Sequence, residues 1–328
     1  LTSCQEWTNV TEIGSEFDRS AEARRAYVDR ALSFIDIKAL RPLKLVVNSG
    51  NGAAGPTFDA IAKQLGNMGC QMEFIRIHHN PDHTFPNGVP NPMLIETHSA
   101  TARVVRRAGA NFGVAFDGDF DRCAFFDEKG KFVSGECIVG LLAGYFLKKS
   151  PNARIAHDRR VVWAVEDVVL AAGGTPVPTI AGHAYFKTAL RETGAIYGGE
   201  VSHHHYFREF ACCDSGMIPW LVIAQIMSLS DTRLSDLVAK HVARFPSSGE
   251  HNFMLDDPQV SIERVVKYFM NNALTLDETD GVTMTFKNWR FNLRCSQTEP
   301  LVRLNIETTG NRHLLSQKLK ELSEILTK

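Results

Sequence analysis

Leu43-Lys44-Leu45-Val46-Val47-Asn48-Ser49-Gly50-Asn51-Gly52 is an apolar, β-branched run that breaks abruptly into small polar residues and glycine. That is the form of a buried strand feeding a tight turn. Working outward, a helical stretch runs on to Gly69 and a second strand is expected near Met72–Ile77. A Pro- and Asn-rich loop from Asn80 to Pro92 leads to a helix ending near Gly109 and a strand at Phe112–Phe116. Strand, helix, strand, helix, strand is the pattern of a parallel sheet with helical crossovers. Asp127-Glu128-Lys129-Gly130 reads as the turn of a closing hairpin.

The alternation repeats from Phe132. Helix Ile138–Lys148, strand Arg154–His157, helix Val162–Ala172, strand Thr175–Pro178, a further helix and strand Ala195–Gly198 are expected in turn, then helical stretches Ser215–Leu229 and Arg233–Ala243. Phe245-Pro246-Ser247-Ser248-Gly249 breaks the pattern. Beyond it, a helix near Val260–Met270, strands around Val282–Phe286, Phe291–Leu293 and Val302–Glu307, and a terminal amphipathic helix make an α+β unit, with Asp280-Gly281 as a hairpin turn. The expected fold is α/β: two α/β domains with mixed or parallel sheets, then a smaller α+β domain with an antiparallel sheet. The expected spans are 1–22 linker remnant, 23–131, 132–245 and 246–328.

With 328 residues, 44% of them hydrophobic, each unit can bury its own core. Net charge is −1, which argues against nucleic acid or a membrane surface as partner. No apolar run approaches the ~20 residues that span a bilayer, and no signal peptide is visible. Seven cysteines, an odd number without paired metal spacing, fit reduced thiols in a cytoplasmic protein.

Three loops carry chemistry. In Ala115-Phe116-Asp117-Gly118-Asp119-Phe120-Asp121-Arg122, three carboxylates at alternate positions follow a buried strand. Their mutual repulsion is relieved by a divalent cation, and oxygen donors suit Mg²⁺, Ca²⁺ or Mn²⁺ over Zn²⁺. Arg122 adds a charge able to face a phosphate. A solvated acidic turn is the plain alternative. An EF-hand is excluded because Arg122 stands where glycine is required, despite Glu128 at the twelfth position. A dehalogenase-type phosphatase loop is disfavoured by Asp121 and by the loop's late position.

In Gly198-Gly199-Glu200-Val201-Ser202-His203-His204-His205-Tyr206, Glu200 and Ser202 project together in extended chain and suit vicinal sugar hydroxyls. The three consecutive histidines alternate faces, so they are not expected to chelate one metal. Arg294-Cys295-Ser296-Gln297-Thr298-Glu299-Pro300-Leu301-Val302-Arg303 offers guanidinium, hydroxyl and amide donors to a phosphate, or is an ordinary hairpin with surface arginines.

Taken together with Asn48-Ser49-Gly50-Asn51-Gly52 and Phe85-Pro86-Asn87-Gly88-Val89-Pro90-Asn91-Pro92, these loops resemble the α-D-phosphohexomutase family, in its phosphomannomutase/phosphoglucomutase branch, from about Ala23 to the end. The resemblance implies an isomerase of carbohydrate metabolism that interconverts hexose 6-phosphate and hexose 1-phosphate, mannose or glucose. It works through a phosphoserine and a hexose 1,6-bisphosphate intermediate, which also serves as activator. It implies Mg²⁺ on Asp117, Asp119 and Asp121, with sugar hydroxyls on Glu200 and Ser202. The non-reacting phosphate falls to Arg294, Ser296, Gln297 and Thr298. Asp158 and Arg160 sit in a further cleft loop; His183, Lys187 and Arg122 support the reaction, and His204 has a minor role.

The family's first domain carries the phosphoserine in a Ser-His-Asn-Pro motif, and no such motif occurs here; His79-Asn80-Pro81 only comes close. Catalytic residues of that kind are therefore expected to be absent, and the chain to be inactive without an N-terminal partner domain. Leu1 and the linker-like start favour a piece of a longer mutase. The alternative is a non-catalytic phosphosugar-binding protein derived from the family. Gln297, Ala181, Arg159 and His203 depart from the family's usual Asn, Thr, Pro and a small residue.

Overall fold

The computed structural model describes residues 15–295 and 301–328. The first unit runs α1 (Ser20–Leu32), β1 (Lys44–Asn48), α2 (Ala54–Asn67), β2 (Glu73–Ile77), α3 (Ile95–Ala108), β3 (Phe112–Phe116), β4 (Cys123–Phe126) and β5 (Phe132–Val133). The second runs α4 (Gly135–Lys149), β6 (Arg154–Asp158), α5 (Trp163–Ala171), β7 (Thr175–Thr179), α6 (His183–Thr193), β8 (Tyr197–Gly199), β9 (His205–Phe207) and β10 (Cys213–Asp214), followed by α7 (Met217–Ser230) and α8 (Leu234–Arg244). The third has β11 (Ser247–Met254), α9 (Pro258–Phe269), β12 (Thr275–Asp277), β13 (Val282–Thr285), β14 (Trp289–Cys295), β15 (Leu301–Thr308) and α10 (Arg312–Leu326).

The first two sheets share one topology. The first is ordered β2-β1-β3-β4-β5, its first three strands parallel and the last two added antiparallel. The second, β7-β6-β8-β9-β10, repeats that order strand for strand. The third sheet, β11-β15-β14-β13-β12, is antiparallel throughout. The expected fold class is therefore met.

Several local expectations need correction. Phe132–Val133 pairs with β4, so the first sheet extends two residues past the boundary placed at 131. Helix α1 begins at Ser20, inside the supposed linker. The stretch read as a break after Pro246 is the strand Ser247–Met254, an edge strand that exposes Gly249, Glu250, Asn252 and Met254 and whose sequence gives little apolar alternation.

What joins the first two units is α7. Its sequence, Met-Ile-Pro-Trp-Leu-Val-Ile-Ala-Gln-Ile-Met, is apolar on every face and buried on every face, as such a helix must be. Trp220 reaches Phe58 and Phe74 of the first unit, and α7 lies in a core continuous with both units. The third unit keeps a separate core around Phe269, Trp289 and Phe291.

Candidate functional site

The aspartate loop leaves β3 at its C-terminal end and returns as β4. Phe120 turns it in a left-handed conformation, φ 55°. The loop also leans on the β1–α2 turn, where the Ala53 N–H donates to the Gly118 carbonyl at 2.8 Å. A Cβ on Gly52 would come within 2.5 Å of that same oxygen, so the approach requires glycine. Asp117, Asp119 and Asp121 thereby present carboxylate oxygens all within 4.8 Å of one another. Arg122 has two of its three side-chain nitrogens engaged within the first unit. Its Nε donates to Asp117 Oδ2 at 2.7 Å and its Nη1 to Asn91 Oδ1 at 3.3 Å. Burial lifts the Asp117 carboxyl to about 6; the charge of Asp121 adds to the push and Arg122 opposes it. Asp121 is also half-buried, but His204 beside it outweighs that and holds its carboxyl low. Three acids against one committed arginine leave a net negative pocket of hard oxygens, which fits a small divalent cation.

The second loop occupies the equivalent place between β8 and β9. Glu200 and Ser202 do come together, Ser202 Oγ donating to Glu200 Oε2 at 3.2 Å. They do so in a tight turn rather than an extended chain: the His203 N–H donates to the Glu200 carbonyl and His203 takes φ 66°. Glu200 is buried and well provided for. Tyr206 Oη donates to Oε1 at 2.6 Å, and Arg160 stands 3.7 Å from Oε2. Arg160 is itself buried, gripping Asp158 with two of its nitrogens and reaching Glu250 of β11 at 3.1 Å. Burial disfavours its charge, but the three surrounding carboxylates hold it firmly protonated.

The histidines part company. His203 and His205 are buried, the first edge-on to Phe132 and the second bonded to Tyr197 Oη at 2.7 Å. His204 alone turns to the cleft, its Nε2 3.4 Å from Asp121 Oδ1. There the two loops touch, through a backbone bridge between Arg122 and His204. His183 opens α6 and faces Asp121 and Asp214 at 3.6 and 3.3 Å. Lys187 lies one turn along α6, half-buried, and joins no ion pair among the described residues.

The third unit docks through charge. Glu307 accepts from the Val162 and Trp163 N–H groups at the start of α5 and from Arg290, at 2.7, 2.9 and 2.6 Å. Arg159 pairs with Asp277 at 2.7 Å, and the Ala181 N–H donates to Asp280, which also meets Arg294 at 3.6 Å. Ser296, Gln297 and Thr298 lie outside the described residues. Sequence reasoning missed Asp214, Tyr206, Glu250, Arg290 and Glu307. Apart from Tyr206, at the end of the second loop, none stands in a patterned loop, and only the packing brings them in.

Comparison with known proteins now bears on this arrangement. Residues 25–130 match Phosphoglucomutase/phosphomannomutase, alpha/beta/alpha domain II, and residues 134–245 match domain III of the same family. A phosphomannomutase of Salmonella montevideo is 54% identical over 326 residues, 99% of this chain and 72% of the relative. This chain belongs to the phosphoglucomutase/phosphomannomutase family. Among solved structures, a phosphoglucomutase/phosphomannomutase family protein from Burkholderia thailandensis superposes with TM-score 0.79 at 28% identity, over 93% of this chain and 64% of that one. An Aspergillus fumigatus N-acetylphosphoglucosamine mutase, in complex with GlcNAc-6P and magnesium, shares the fold alone at 14% identity, TM-score 0.64, 93% of this chain and 70% of that one. The chain thus spans about seven-tenths of the Salmonella relative and less than two-thirds of the Burkholderia chain.

Proposed function

We propose that this chain carries the metal, sugar and phosphate sites of a phosphomannomutase or phosphoglucomutase. The reaction would interconvert hexose 6-phosphate and hexose 1-phosphate, with hexose 1,6-bisphosphate as intermediate and activator. The observation that carries the reading is the contact of the two loops at Arg122 and His204, which sets a hard-cation pocket against a carboxylate–hydroxyl pair. Asp117, Asp119 and Asp121 would hold Mg²⁺, which when bound supplies charge neutralisation for a transferring phosphoryl group. A magnesium complex of the Aspergillus mutase supports the choice of metal.

Glu200 still has acceptor capacity beyond Tyr206 and Ser202, and with Ser202 it orients vicinal sugar hydroxyls. Arg160 stands 3.7 Å from that carboxylate and helps to fix its place. Arg294, with Ser296, Gln297 and Thr298, would receive the non-reacting phosphate, and His183, Lys187 and His204 face the space between. The units would be the first, through Val133, for metal, the second, through 245, for sugar and 246–328 for phosphate, after a linker that ends before Ser20. Six cysteines among the described residues are free thiols, and no described helix is long and apolar enough to cross a membrane; a cytoplasmic setting suits both.

These 328 residues contain no Ser-His-Asn-Pro motif, so alone they are expected to bind substrate without turning it over. Calorimetry with mannose 1-phosphate and glucose 1-phosphate, with Mg²⁺ present, tests this. Binding lost in Glu200→Gln and weakened in Asp119→Ala is the expected result; no binding of either sugar phosphate refutes the reading. Turnover by the chain with added bisphosphate, abolished in Asp119→Ala, would refute the expected inactivity.

A further inference from the structure

Beside the aspartate triad lies a second group of donors. Asp121, His183, His204 and Asp214 each offer one ligand atom, all within 4.8 Å of one another. They come from four different places: the β3–β4 loop, the start of α6, the β8–β9 loop and β10. Two nitrogens and two oxygens in this disposition are not the donor set of Mg²⁺.

Hydrogen-bond bookkeeping shows what is wanting. Ser202 Oγ gives its proton to Glu200 Oε2, so it accepts from His204 Nδ1, 3.1 Å away. His204 then faces Asp121 Oδ1 through Nε2 at 3.4 Å, and that nitrogen either carries the second proton that holds the Asp121 carboxyl low or gives its lone pair to a metal ion in the proton's place; Asp121 Oδ1 has no hydrogen-bond partner. Across the group, the Asp214 side chain is only 7% exposed, yet its Oδ2 has no hydrogen-bond partner and stands 3.3 Å from His183 Nδ1. Ring nitrogens and carboxylate oxygens facing one another at this spacing call for a positive charge between them, which a metal ion supplies as well as a proton. A four-coordinate ion with ligands about 2.0–2.1 Å away holds them about 3.3 Å apart, the spacing of both pairs.

We propose that Asp121, His183, His204 and Asp214 form a second cation site, selective for a borderline transition ion of the Zn²⁺ class and sharing Asp121 with the hard-cation triad. The Ser202 contact to His204 Nδ1 fixes the ring, as outer-shell partners of ligating histidines do. If the mutase reading holds, occupancy takes His183 and His204 away from the substrate, so the ion acts as an inhibitor; the site itself does not depend on that reading.

Co²⁺ is the probe. Chelator-stripped protein in excess Mg²⁺ is titrated with Co²⁺, and visible absorption is recorded. One equivalent giving the intense bands of four-coordinate Co²⁺, displaced by Zn²⁺, is expected. Asp214→Asn and His183→Ala should each weaken it about tenfold or more, while Asp214→Asn leaves Mg²⁺ affinity, measured by calorimetry, unchanged. Far-UV circular dichroism and melting check that both variants fold; the Asn variant is nearly isosteric. Weak six-coordinate absorption, Co²⁺ held only in competition with Mg²⁺, or affinity indifferent to Asp214→Asn would overturn the site and leave His204 as a protonated ion-pair partner. Substrate binding insensitive to Zn²⁺, with the Co²⁺ spectrum intact, would overturn the inhibitory role alone.

Discussion

The first two units are the same sheet built twice, and their β3–β4 and β8–β9 loops stand at the same topological point. They place charge at different depths. In the second unit, Arg160 is buried against Asp158 and Glu200 of its own unit and Glu250 of the third, so the Glu200 carboxylate has a guanidinium packed beside it. In the first, Arg122 is partly exposed, bonds Asp117, reaches Asp121 only at 3.9 Å and does not pair with Asp119, which lies open to solvent. A loop whose carboxylate is buried with its counter-charge is prepared for neutral hydroxyls, whereas one with open carboxylates is prepared for a cation. The turns that precede them differ too. The β1–α2 turn closes on its own unit's Gly118, while the start of α5 is closed by Glu307 of the third unit.

The largest effect expected from this contrast is at Arg160. Arg160→Ala strands three carboxylates, two of them buried, and should destabilise the protein by about 3–5 kcal/mol in chemical denaturation. Arg122→Ala should cost far less, and less again with Mg²⁺ present. Equal costs would break the distinction. Next, Glu307→Gln leaves Arg290 without its carboxylate and one N–H of α5 poorly served. A loss of about 2–3 kcal/mol is expected, with faster amide exchange at the start of α5 and no change at α2.

Acid should separate the two units as well. Burial pushes His157 down to about 4, His203 to about 3 and His205 well below its ordinary value, all in the second unit. Unfolded histidine takes up its proton near 6.5, so each contributes stability that is present above that pH and is lost as pH falls. The loss is at most about 1.4 kcal/mol per pH unit per histidine and levels off once the folded group protonates. Asp117, raised to about 6, has the opposite sign: its contribution is present below the unfolded carboxylate value and is lost as pH rises through about 6. Between pH 6 and 4, proteolysis should therefore open the second unit first, and His203→Ala should flatten its pH dependence. Simultaneous opening with an unchanged slope in the variant would contradict this. The smallest effect is at Arg159→Ala. Its pair with Asp277 is partly exposed, and losing it should cost under about 1 kcal/mol by urea melt.

Much of this was legible in the chain. Val46-Val47, Phe112–Phe116 and the glycines that end their helices declare strands and stops through local sterics and apolar period, which neighbours hardly alter. The alternate aspartates of the loop mark a candidate cation site, because a bound cation would relieve like charges at that spacing. Ser247–Met254 was illegible as a strand because half its surface faces water, and so was the turn that actually joins Glu200 to Ser202.

Sequence by itself determined the alternation of elements, the fold class and the acidic and hydroxyl-bearing loops, all set by residues within a few positions of one another. Tertiary structure alone decided that Arg122 is tied to Asn91, that Arg160 serves three carboxylates, that only one of three adjacent histidines faces the cleft, and that Asp214 stands beside it. Those facts depend on side chains tens to hundreds of residues apart being desolvated together, and the energy of a buried charge is fixed by its surroundings rather than by its neighbours in the chain.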